Sequence, residues 1–219
     1  DRFDLDLIAG RGGTTDERLG DINSLDLDRG LRRARAAALL MLALPGNAYL
    51  YQGEELGLPE VRDIPENRLQ DPIWHLSGFK DRGRDGCRVP MPWRTGDKGG
   101  YGFSTDSALT PQDQWLPQPK AWANLAIDQQ LSESGSTLKL YQEALALRRQ
   151  LFRSNEDSLL WRLATGDQLL FERSGKFACL TTFGTPTRLP DGWEAILSSS
   201  PLSGDHLPPD CTVWLRSLS

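Results

Sequence analysis

Histidine and cysteine are scarce in this chain, with two and three copies in 219 residues. Cys87, Cys179 and Cys211 make no Cys-x-x-Cys pair, and two histidines cannot complete a zinc pattern with them. The acidic run "DINSLDLD" lacks the glycine and terminal glutamate of a calcium loop. "GRGG" lacks the Gly-Lys-Ser/Thr that would make it a phosphate cradle, and no strand precedes it. No metal and no cofactor are therefore expected. Long apolar runs are missing too: the longest, residues 34–44, falls well short of the ~20 residues of a membrane span. An excess of positive charge is also lacking. The net charge of -5 argues against a nucleic-acid partner. The odd cysteine count fits a reducing compartment, so a cytoplasmic location is expected. Inside its apolar run Cys179 reads as a small buried hydrophobe. The first residue is Asp1 and not methionine, so the absence of a signal-like segment carries no weight. Neither internal repeats nor low-complexity tracts occur. The sequence leaves the oligomeric state open.

What is present reads as one large or two small domains. Residues 1–28 are polar and glycine-rich and read as loop. Residues 25–44 form the strongest helix pattern, with Asp26 or Asp28 as its cap. Arg29, Arg32, Arg33 and Arg35 read as a solvated face of it, and its apolar second half as buried against a sheet. Pro45-Gly46 ends that helix, and "NAYLYQ" (residues 47–52) reads as an apolar strand, the αβ step of a parallel sheet. The Pro-, Gly-, Asp- and Arg-rich residues 59–119 read as a long functional loop. Its aromatics predict a small core of its own. A second helix is predicted over residues 136–152. Beyond Arg153 come short strand-like runs, "SLLWRL", "QLLFER", "FACLTTFG", "EAILSS" and "CTVWLR", split by Gly/Pro turns. They predict an antiparallel β domain.

Three segments in this order resemble glycoside hydrolase family 13, the α-amylase superfamily, in its bacterial α-glucosidase and oligo-1,6-glucosidase branch. "LLMLALPGNAYLYQGEELGL" is similar to the end of that family's seventh barrel helix and its eighth strand. "GRDGCRVPMPW" is similar to the loop after that strand, and "LYQEALALRRQ" to the eighth helix. The likeness covers residues 27–152 well, is weaker beyond, and is poor before Asp26. It implies an α/β plus all-β chain: residues 1–153 as the last βα portion of a (β/α)8 TIM barrel with a long active-site rim loop, and residues 154–219 as an antiparallel, sandwich-like β domain. The implied partners are α-glucosides and oligosaccharides.

Retaining cleavage of a glucoside needs two carboxyl groups about 5 Å apart across the sugar. Glu54 and Glu55 do not supply this pair, because neighbours on an extended chain face opposite ways. The family's nucleophile, acid/base and third carboxylate come from the fourth, fifth and seventh strands. Motifs like Gly-x-Arg-x-Asp and Asn-His-Asp do not occur here. "RFDLD" holds an Arg-x-Asp, but at the wrong place for the role to pass to Asp4. A complete barrel takes about 250 residues. The expected identity is therefore the C-terminal part of a glucosidase, without turnover of its own. A glucosyl-transferring or isomerising relative, such as one like trehalose synthase, and a non-catalytic carbohydrate-binding or structural module are the alternatives.

Arg84 and Arg88 are the leading substrate-binding candidates, as the resemblance implies contact between this arginine loop and the terminal glucose. The alternative is a salt bridge to Asp81 or Asp85. Glu54 and Glu55 are read as substrate-side contacts or as carboxylates anchoring their loop. Tyr49 and Tyr51 read as barrel packing. Trp93 stacks on a sugar face or packs inside its loop, and His75 reads as a local hydrogen-bonder.

Overall fold

The computed structural model describes residues 26–152 and 158–218. The expectations for residues 1–25, including "GRGG" and Asp4, lie outside the described residues. So does the predicted junction at residue 154. The described chain forms two compact units, residues 50–139 and residues 26–49 with 140–218.

The second unit is built on a five-stranded antiparallel sheet. Its strands are β1 (Leu159–Ala164), β2 (Gln168–Arg173), β3 (Phe177–Thr182), β5 (Trp193–Ser198) and β7 (Cys211–Ser217), in the order β1-β2-β3-β7-β5. They coincide with the five strand-like runs. A separate ribbon pairs β4 (Thr187–Arg188) with β6 (His206–Leu207), too short to show in the sequence pattern. β3 is buried along its whole length. Phe177 and Cys179 enter one core with Trp214, while Ala178 and Leu180 enter another with Val213 and Leu215. A strand covered on both faces needs no polar alternation, which explains the unbroken apolar run.

Helix α1 (Leu27–Ala43) opens with the Asp26 carboxylate accepting the Arg29 amide at 2.8 Å. Its buried Ala34, Ala36, Ala38 and Leu39 give a face of mostly small residues, and it packs on β7 and β3. The expectation of a helix end buried against a sheet thus holds, but the sheet is the antiparallel one. Thr212 Oγ1 donates to the Ala36 carbonyl at 2.8 Å, and Trp214 Nε1 to that of Leu39 at 3.0 Å. The basic stripe of α1 is not simply solvated. Arg29 and Arg33 pair with the buried Asp210 at 3.2 and 2.5 Å, and Arg35 donates to the Ser199 carbonyl at 3.0 Å. The last carbonyls of α1, which have no intrahelical donor, are taken by two arginines. Arg148 of helix α2 (Thr137–Leu151) bonds the carbonyls of Leu42, Leu44 and Gly46, and Arg173 bonds that of Ala43 at 2.6 Å.

The predicted strand at residues 47–52 is corrected: no strand forms there. Nor is Tyr49 packed among the described residues. Tyr49 is 83% exposed. A strand is stabilised by the ladder of a neighbouring strand, and among the described residues no strand pairs with this segment.

The unit of residues 50–139 contains no strand among the described residues; short helical turns and loops close over one apolar cluster. Leu56, Leu58, Val61, Ile64, Trp74, Val89, Leu116 and Trp122 belong to it. The long loop therefore does carry its own core. Buried Gln130 stitches it polar-side, its Nε2 donating to the Leu56 and Leu125 carbonyls at 2.8 and 3.0 Å while its Oε1 accepts the Leu138 amide at 3.0 Å.

Candidate functional site

Glu54 and Glu55 sit in a single 3-10 turn, Glu54–Leu56, between Gly53 and Gly57, not on an extended chain. The two left-handed glycines allow the reversal. Glu55 Oε2 accepts the Gly53 amide at 2.8 Å, so it anchors its own turn. Glu54 is half-buried. Burial pushes its carboxyl above the ordinary value, against a backbone hydrogen bond from Tyr51 that pulls the other way.

The arginine loop is organised by two aspartates. Asp85 is fully buried at the start of the short helix Asp85–Arg88. Its Oδ2 accepts the amides of Gln70 and Asp71 at 2.5 and 2.8 Å, and its Oδ1 accepts Arg88 Nη2 at 2.8 Å. Asp71 caps the helix Pro72–Leu76 through the Ile73 amide, a cap that an aspartate before a proline announces. Its Oδ2 also takes the Arg84 amide at 3.0 Å and Arg88 Nη2 at 2.8 Å. These bonds, led by the Arg84 and Ile73 amides, hold the Asp71 carboxyl below its ordinary range. Gly83 makes the approach possible: a Cβ there would stand 2.5 Å from Asp71 Cγ.

The two arginines diverge. The Arg84 side chain is exposed, while its backbone is pinned by Asp71 and by Cys87, whose amide and thiol both donate to the Arg84 carbonyl. Arg88 lies in the Asp71–Asp85 clamp, yet its Nε is buried and has no hydrogen-bond partner among the described residues. Such a buried donor is costly to leave unmade. Trp93 is 48% exposed and lies outside the core of its loop; His75 rests edge-on to Phe79. Sequence reasoning missed Asp71. Its capping role is local and legible, but its pairing with Arg88, seventeen residues on, is not.

Among the described residues no group of three or more His, Cys, Asp or Glu could hold a metal ion. All three cysteines are buried and free, and burial raises the Cys179 thiol. No helix among them is long and apolar enough to cross a membrane.

The chain has counterparts among solved structures. It superposes on an alpha-glucosyl transfer enzyme, XgtA, with a TM-score of 0.67 and 30% identity, over 85% of this chain and 36% of that one. The trehalulose synthase MutB from Pseudomonas mesoacidophila MX-45 shares the fold at a TM-score of 0.67 and 18% identity, over 84% of this chain and 38% of that one. The alpha-amylase catalytic domain model matches residues 16–155, and the chain belongs to that family. It carries the last part of the barrel portion followed by the antiparallel β domain. A probable alpha-glucosidase of Rhizobium meliloti (strain 1021) is 38% identical over 118 residues, 53% of this chain and 19% of the relative. Maltase 1 of Drosophila virilis is 35% identical over 123 residues, 55% of this chain and 18% of the relative. The chain thus spans under a fifth of the length of either.

Proposed function

We propose that this chain is the C-terminal part of a retaining α-glucosidase that releases terminal α-linked glucose from oligosaccharides. In this reading residues 1–153 are the barrel remnant and residues 154–219 the C-terminal domain. The extent of the family match, residues 16–155, supports that division. Arg84 and Arg88 are the sugar-binding side chains of the rim loop, and Glu54 and Glu55 shape its neighbouring turn. The observation that carries the reading is the arginine loop itself: two buried aspartates fix the backbone of an exposed arginine and hold a second arginine whose side chain stays 30% exposed. A guanidinium held by carboxylates is a planar, permanently charged donor suited to ring hydroxyls. The carboxylates that break the bond do not belong to these residues, so the chain by itself turns nothing over.

The likeness to an alpha-glucosyl transfer enzyme supports a second reading, in which the product is a new glucoside instead of free glucose. One experiment separates them. The chain replaces the matching segment of the Rhizobium meliloti relative, and the chimera is assayed on p-nitrophenyl α-glucoside and on maltose. Glucose release that falls at least tenfold in kcat/KM on Arg84→Ala supports the first reading, and transfer products dominating at low acceptor concentration support the second. A soluble chimera without either activity overturns both, and turnover by the 219-residue chain alone overturns its incompleteness.

A further inference from the structure

A second surface in the unit of residues 50–139 has the chemistry of a ligand site. Residues 99–102 run through four consecutive left-handed conformations, with φ of 64, 60, 52 and 74°. Three are glycines; the fourth is Tyr101, whose ring is buried. The turn cannot relax by gaining side chains. A Cβ on Gly99 would meet the Ser104 carbonyl oxygen at 2.4 Å, and one on Gly100 would meet Gln114 Nε2 at 2.3 Å. The Tyr101 carbonyl accepts the amides of both Trp93 and Arg94, at 2.8 and 2.9 Å, which ties the turn to the strip before it. Gly99 and Gly102 of this turn line an open groove of about 740 Å³, within the roughly 300–1,000 Å³ of small-molecule sites.

The lining narrows the ligand. Arg94 and Lys98 face the groove together with Asp97 and Asp128, and Ser104 and Thr105 add hydroxyls. Opposite charges in one small groove disfavour an anion as much as a cation, and suit a neutral ligand rich in hydroxyls that both donates and accepts. Asp128 is already oriented: its oxygens accept the Thr95 amide and hydroxyl at 3.1 and 3.0 Å and the Gln129 amide at 2.8 Å. Arg94 is steered as well, since its aliphatic stem lies over Gly102, 3.1 Å from where a Cβ would stand. At the rim, Phe103 leaves 50% of its surface in solvent. An aromatic ring beside a polar groove offers an apolar platform for the C–H face of a pyranose.

We propose that this groove is a saccharide-binding subsite, with Phe103 as the platform under one sugar ring and Asp97, Asp128, Arg94 and Lys98 bonding its hydroxyls. The saccharide class follows from the lining alone; an α-linked glucan as the particular occupant rests on the function proposed above.

The test is an amide-shift titration of the full 219-residue chain with isomaltotriose, repeated with cellotriose. Saturable shifts at Phe103, Ser104, Thr105 and Asp128 are expected. Phe103→Ala should weaken the apparent affinity at least tenfold, and Arg188→Ala, at an exposed position of the β4–β6 ribbon, should change it less than twofold. Phe103 is half in solvent, so its removal should not cost the fold; Lys98→Ala, at an exposed position, gives an independent check and should weaken binding severalfold. Absence of shifts at the groove with both sugars, shifts confined to the Arg84 loop, or an affinity indifferent to Phe103→Ala would overturn the subsite. Equal binding of the two sugars at the groove would sustain the subsite while removing its support for an α-glucosidase.

Discussion

Asp71 Oδ2 receives Arg88 Nη2 at 2.8 Å and, from the same loop, the Arg84 amide at 3.0 Å. One carboxylate oxygen thus fixes the second arginine's head and the first arginine's backbone. Asp71→Ala should leave Arg88 half-paired and the Pro72–Leu76 helix uncapped. A loss of about 2–4 kcal/mol is expected from a cap plus a charged hydrogen bond, read as a lower urea midpoint at unchanged slope.

The same pair sets a pH dependence. The folded-state carboxyl of Asp71 lies below its ordinary value, chiefly through the Arg84 and Ile73 amides. Its contribution is therefore complete above the unfolded value of about 4 and is lost as pH falls through the folded value. Asp71→Asn should destabilise clearly at pH 7, and the gap to the parent protein should narrow below about pH 4. A gap that stayed constant between pH 7 and pH 3 would refute this account.

Gly86 tests packing without backbone strain. A Cβ there would stand 2.6 Å from the Val61 carbonyl oxygen, and the Val61 amide already donates to the Gly86 carbonyl at 3.1 Å. Backbone held on both sides cannot retreat, so Gly86→Ala should cost about 1–3 kcal/mol. At Gly96 nothing lies within 4 Å of the added carbon, and Gly96→Ala should be neutral or slightly stabilising. Denaturant titration of the two variants gives the comparison.

Asp210 is the anchor between α1 and the turn before β7. It is 3% exposed, sits at φ 57°, and takes Arg33 at 2.5 Å and Arg29 at 3.2 Å. Asp210→Ala takes the carboxylate from the mostly buried Arg33, which keeps the Phe183 carbonyl, and strains the backbone, for a loss of about 2–4 kcal/mol. Asp210→Asn keeps a side chain that tolerates this conformation and should lose less. Arg29 is half in solvent, so Arg29→Ala should cost less than about 1 kcal/mol. Thermal unfolding should rank the variants in that order.

Arg148 closes the end of α1 by bonding the carbonyls of Leu42, Leu44 and Gly46. Arg148→Met keeps the stem and removes the donors, leaving several carbonyls to water. A loss of about 1–3 kcal/mol is expected, with faster amide exchange confined to the last turn of α1.

The sequence by itself determined the local periodicities. Helix α1, helix α2 and the five long strands stand where their apolar spacing and turn residues put them, because those signals lie within a few residues of one another. The resemblance of "GRDGCRVPMPW" to a glucosidase rim loop was equally legible, since a motif is a local string. Tertiary structure decided what each piece faces. "NAYLYQ" has a strand's composition but no strand's neighbours, so Tyr49 stands in solvent. The α1 arginines look solvated in sequence, yet meet Asp210, some 180 residues away. Only the fold shows that Asp71 and Asp85 converge on Arg88, or that two glycines of a left-handed turn line a polar groove. Pattern is written in neighbouring residues, whereas burial, pairing and cavities depend on which distant segments arrive to share them.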